Sequence, residues 1–158
     1  MSGNRDRDAG GRARNARPRD RTGRPLPRDA AGSARASDDL VLEPAAALAE
    51  AERLIASGEP FAAHDVLEGV WKTRREGGCA DAVTWQGLAQ VAVGLTHLQR
   101  GNRVGAARLL ERGAGNIGSG AVGEWAVELA QAVGGGEESV VHNLHDRRPS
   151  FIGSIAGF

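Results

Sequence analysis

The chain has 158 residues, 41% hydrophobic and 25% charged, with 20 acidic and 20 basic side chains. That size and balance fit one ordinary domain with tails, and exclude a fibre, a wholly disordered chain or two well-developed domains. The zero net charge hides an asymmetry: residues 1–37 hold ten Arg and four Asp, so the excess of positive charge sits in an N-terminal arm and the remainder is acidic.

Residues 1–38 read as a disordered, Arg-rich arm, because Gly and Pro recur and almost no large apolar side chain is present to offset the entropy of ordering. Its Arg side chains could meet phosphates. The interleaved Asp residues and the lack of an aromatic to stack on a base argue against nucleic-acid binding. The arm has no apolar stretch of the secretory kind, and the single cysteine permits no internal disulfide, so a cytoplasmic protein is expected.

A helical domain is expected over residues 39–133. Pro44 suits a first helical turn; Leu48, Ala51, Leu54 and Ile55 share a face; and Gly58 supplies a stop. Pro60 opens a second helix running to about Glu76, where "GGCAD" breaks it and leaves Cys79 in a Gly-rich loop. A third helix runs from about Asp81 to Arg100 and ends at the turn residues Gly101 and Asn102. It carries no formal charge between Ala82 and Gln99, yet Thr84, Gln86, Gln90, Thr96, His97 and Gln99 make it too polar for a membrane span. It is expected to be the central helix. A fourth covers roughly Arg103 to Ala114 and a fifth about Ala121 to Val133, with Val122, Trp125, Ala126 and Leu129 as its stripe. Residues 134–158 read as a Gly-rich tail with a terminal apolar cluster that could dock. His142 and His145 stand there at HxxH spacing, and two ligands alone make no metal site.

No segment alternates with period two, so the fold class is all-α: a bundle of about five helices. Aligning Gly58 with Gly101 lays "SGEPFAAHDVLE" over "RGNRVGAARLLE", which predicts antiparallel helical hairpins, tetratricopeptide-like in plan.

On a helical wheel, His64 falls at the centre of the apolar stripe of the second helix, between Phe61, Leu67 and Trp71, with Glu68 one turn on. Gln86, Gln90 and His97 form an uncharged polar strip on the third helix. His64, Glu68, Trp71, Gln86, Gln90 and His97 are therefore expected to line one buried polar pocket. Three readings of it stand open: a hydrogen-bond network that sets helix register, a metal site, or a site for a small polar or anionic ligand. In the metal reading His64, Glu68 and His97 supply two imidazoles and a carboxylate, a set suited to zinc or iron with a position open for water. Asp65 lies roughly 100° around the helix and joins only by turning.

The stretches "HDVLEGVW" (His64 to Trp71) and "WQGLAQVAVGLTHLQRGNRVGAARLL" (Trp85 to Leu110) resemble the motifs "HE-x-x-E-x-x-W" and "W-x-QGL-x-Q-x-A…H-x-QRGN-x-x-GA-x-x-LL" of a bacterial family, domain of unknown function 309. The resemblance covers roughly residues 45 to 115. Asp65 stands where the family usually has Glu. The likeness implies a compact multihelical bundle, and such families have been labelled predicted metal-dependent hydrolases. The function expected is a cytoplasmic helical module binding a protein partner or a small polar ligand. The alternative is a metal-dependent hydrolase using His64, Glu68 and His97, with a divalent ion such as zinc.

Overall fold

The computed structural model describes residues 18–32 and 41–155. Among these, six α-helices follow one another: α1 (Pro44–Ala56), α2 (Pro60–Glu76), α3 (Ala82–Gln99), α4 (Arg103–Ile117), α5 (Ala121–Gly135) and α6 (Glu138–Asp146), before a short 3-10 turn, Ile152–Ser154. The fold is all-α, with one helix more than expected.

The first five helices begin and end where local chemistry requires. Prolines stand in the first turn of α1 and α2, where their missing N–H has no partner to lose. Asn102 caps α4 by accepting the Gly105 N–H through its side chain at 3.0 Å. The two hairpin turns are copies of each other. Gly58 and Gly101 both adopt left-handed backbone, with φ of 75° and 76°. The N–H of Glu59 reaches the Leu54 carbonyl at 2.8 Å, as that of Asn102 reaches His97 at 2.9 Å. The repeat read from the sequence is thus a repeat of structure. Each helix packs chiefly on its neighbours in the chain, as expected for stacked antiparallel hairpins.

The uncharged α3 does lie between α2 and α4. It buries Trp85, Leu88, Val91, Ala92 and Leu95, and Thr96 settles its hydroxyl on the Ala92 carbonyl at 2.9 Å. Against α4 it makes an unusually close crossing. A Cβ on Gly87 would stand 2.7 Å from the Gly113 carbonyl oxygen, and one on Gly113 would stand 2.8 Å from the Gly87 carbonyl oxygen. The two backbones touch there. Among the described residues no helix is long and apolar enough to cross a membrane.

Two segments are more ordered than expected. Beyond the docking that the terminal apolar cluster allowed, residues 134–155 include a helix: α6 buries Val141, the Trp125 indole donates to the Leu144 carbonyl at 2.7 Å, and Phe151 and Ile155 are buried. The Glu52 carboxylate accepts from the Ser150 hydroxyl at 2.7 Å and from the Phe151 N–H, which pins this end to α1. Residues 18–32, inside the arm expected to be disordered, form a turn with an isolated antiparallel bridge between Arg19 and Pro25, set against α2 and the end of α3. The rest of that arm, and residues 156–158 of the tail, lie outside the described residues.

Candidate functional site

On α2 the buried face is made by Pro60, Ala63, Leu67 and Val70. His64 lies on the flank of that face and not at its centre, because the two aromatic residues that seemed to bracket it, Phe61 and Trp71, are themselves only half-buried. Trp71 packs under the Arg75 guanidinium at 4.8 Å from its ring centroid. His64 is held from the other side by the Phe61 ring, 5.8 Å away between centroids and tilted by 35°. Its side chain keeps 20% of its surface exposed, so the imidazole sits at a boundary between core and solvent.

Around that imidazole the structure gathers acids. Ligand atoms of His64, Asp65 and Glu68 all lie within 4.8 Å of one another. The His64 Nδ1 is 3.4 Å from the Asp65 carboxylate, and Glu68 lies 3.3 Å from the Lys72 ammonium one turn further on. His64 Nδ1 is nevertheless buried, and among the described residues it makes no hydrogen bond of good geometry. A buried ring nitrogen with an unused lone pair or proton is costly, and a metal ion or a proton shared with Asp65 would relieve that cost. Donors at 2.0–2.2 Å from one cation stand roughly 3 to 4 Å apart. The three donors, within 4.8 Å of one another, stand somewhat wider than that. One imidazole and two carboxylates suit a divalent ion that takes mixed nitrogen and oxygen donors.

The polar strip of α3 is spent elsewhere. The Gln90 Oε1 accepts from the Asn116 amide on α4 at 2.8 Å. The His97 Nδ1 is 2.8 Å from the Asn102 Nδ2. Because the Asn102 Oδ1 already accepts from Gly105, its amide donates to His97, which places the imidazole proton on Nε2. Among the described residues His97 does not join the His64 cluster, so the ligand set the structure brings together is His64, Asp65 and Glu68. Gln86 is half-buried on α3. The residues expected in one pocket therefore divide between the α2 cluster, a Gln90–Asn116 bridge across α3 and α4, and a His97–Asn102 pair that holds the α3–α4 turn.

Asp65 was the residue that wheel geometry set aside. Wheels place Cβ atoms, whereas Nδ1 is the imidazole nitrogen nearer its own backbone, so the short carboxylate of the next residue can reach it. The adjacent "HD" pair was the available signal. A second feature unread in the sequence is a groove of about 520 Å³ between the α3–α4 turn and α6, bordered by Gly101, Arg103, Glu138, His142 and His145. His142 and His145 are exposed there, and Arg103 pairs with Glu138.

No curated protein and no solved structure gives a significant match to this chain. A family model does match: residues 48–109, from α1 into α4 and including the whole acid–imidazole cluster, are similar to the family described as domain of unknown function (DUF309).

Proposed function

We propose that the helical body is a cation-binding module in which His64, Asp65 and Glu68 hold a divalent metal ion, and that the remaining positions on the ion take a small polar or anionic ligand. The observation that carries this reading is the three-residue cluster itself, with ligand atoms within 4.8 Å and at its heart a buried His64 Nδ1 whose neighbour is the Asp65 carboxylate at 3.4 Å. His64 and Glu68 are one helical turn apart on a rigid helix, so a metal would find two donors already on one side of α2. The single cysteine favours a cytoplasmic setting. A hydrolytic role would use an open position to bind and acidify water. With all three residues engaged as ligands, the cluster contains no further acid or imidazole to act as base, and binding is the reading favoured.

The test is metal content and zinc titration of the purified chain. Wild-type protein should hold about one equivalent. His64→Ala should lose it, Asp65→Asn should bind tenfold more weakly or worse, and His97→Ala should bind as wild type. Saturation at a hundredfold excess over Kd would add about 2.7 kcal/mol of stability. If His97→Ala abolished binding while Asp65→Asn did not, the ligand set would be the one first read from the sequence. Absence of zinc binding in wild type would end the metal proposal.

A further inference from the structure

We propose that residues 18–32 are a latch that docks on α2 and on the last turn of α3, fixes Phe61 against His64, and so controls access to that imidazole. The proposal rests on His64 being the working group of the site.

The latch is internally organised by one carboxylate. Asp20 accepts from the Thr22 N–H at 2.8 Å, the Thr22 hydroxyl at 2.7 Å and the Arg24 N–H at 3.0 Å, which closes a turn that the Arg19–Pro25 bridge extends. Its contacts with the body are specific. Gly23 has φ of +77° and lies so near Phe61 that a Cβ there would be 2.4 Å from the ring. The Arg19 guanidinium stands 5.6 Å from the same ring's centroid while donating to the Gly23 carbonyl at 2.6 Å. At the C-terminal end of α3, the next residue, Arg100, donates Nε to the Thr22 carbonyl at 2.7 Å and adds a second bond from Nη2. Phe61 is thereby covered by the latch, and it is the ring that leans on His64.

The docking sets cations beside one another. It covers the Arg100 guanidinium, whose pKa falls, first because of burial and then because Arg24 and Arg19 bring like charge, with Asp20 opposing. A cation desolvated beside others of its own sign is held at a cost.

The experiment compares full-length wild type with Gly23→Val, which leaves the sequence of the helical body intact while its new side chain collides with Phe61, and with Arg100→Gln as a second route to release. Trypsin cleavage after Arg21 and Arg28 reports docking. Carbethoxylation of His64, followed by peptide mass with His97 as internal reference, reports access. The expected result is at least tenfold faster cleavage and severalfold faster modification of His64 in both variants, at an unchanged His97 rate. Cleavage of wild type as fast as either variant would overturn the latch. Faster cleavage with an unaltered His64 rate would overturn the control of access. Failure of zinc to bind any of the three proteins would count against the metal reading alone, since neither rate depends on metal.

Discussion

Replacing Gly87 by Ala tests the backbone contact between α3 and α4, on which the placement of everything lining α3 depends. The new Cβ would stand 2.7 Å from the Gly113 carbonyl oxygen, 2.9 Å from the Ile117 N and 2.8 Å from its Cγ1. Two of those atoms are backbone of a neighbouring helix, so no side chain can rotate away and α4 must retreat. Overpacking of this kind costs about 1–3 kcal/mol, and a rigid obstacle puts the cost toward the upper end. Ala is preferred over Gly within a helix by about 1 kcal/mol, which offsets part of it. The net expectation is a loss of about 2 kcal/mol. At about 3 °C per kcal/mol for a chain of this size, the midpoint should fall by roughly 6 °C. The matched control is Gly115→Ala on α4, where an added Cβ meets nothing within 4 Å. There the helix preference acts alone, and the midpoint should rise by about 1–3 °C. Thermal melts followed by circular dichroism, with urea melts to check that the m-value is constant, decide the matter. Should Gly87→Ala melt at or above wild type, the close crossing is wrong.

Phe151 is fully buried beneath the Arg148 guanidinium, which stands 5.6 Å from its ring centroid. Phe151→Ala should cost about 3–5 kcal/mol, or roughly 10–15 °C in Tm, whereas a loosely attached tail would give a shift near zero in the same melt. The Asp20 carboxyl is held below its ordinary value of 3.8, chiefly by the Thr22 hydroxyl and further by the backbone N–H groups of Thr22 and Arg24 and the Arg24 charge. A depressed carboxylate contributes stability that is complete above its unfolded value and lost as pH falls through its folded one. Amide exchange at Thr22 and Arg24, corrected for intrinsic rates, should therefore lose protection only below about pH 4. Loss of protection at neutral pH would place the control elsewhere.

The body of the fold was legible because its punctuation is chemical. Pro44 and Pro60 can only begin helices, Gly58 and Gly101 end them in the same left-handed geometry, and an 18-residue stretch without charge had to lie inside. Residues 134–155 were harder, since α6 has only nine residues and follows three glycines. Its anchors, Val141, Leu144, Phe151 and Ile155, follow no single helical period, because the chain turns between them. Their burial is set by α1 and α5, which a local pattern does not report.

The site was half legible, for a reason that is geometric. A wheel weights Phe61 and Trp71 as apolar and so draws the centre of the stripe onto His64, but large aromatics serve well at a boundary, and the small residues Ala63 and Val70 take the true centre. His64 is displaced from the packed face, and the same displacement gives it its chemistry: at the edge it meets Asp65 and Glu68, side chains that a sealed core would exclude. The latch escaped composition for a related reason. Segments poor in apolar side chains are read as unable to offset the entropy of ordering. Here a polar turn closed by Asp20 is completed by a bare glycine backbone against an aromatic face and by the Arg100 guanidinium on the Thr22 carbonyl, so order comes from hydrogen bonds and from complementary surface on α2 and at the end of α3 rather than from apolar side chains of the segment. A segment docked by so few contacts can leave when its neighbours change, and the neighbour that Gly23 meets most closely is the ring that abuts His64.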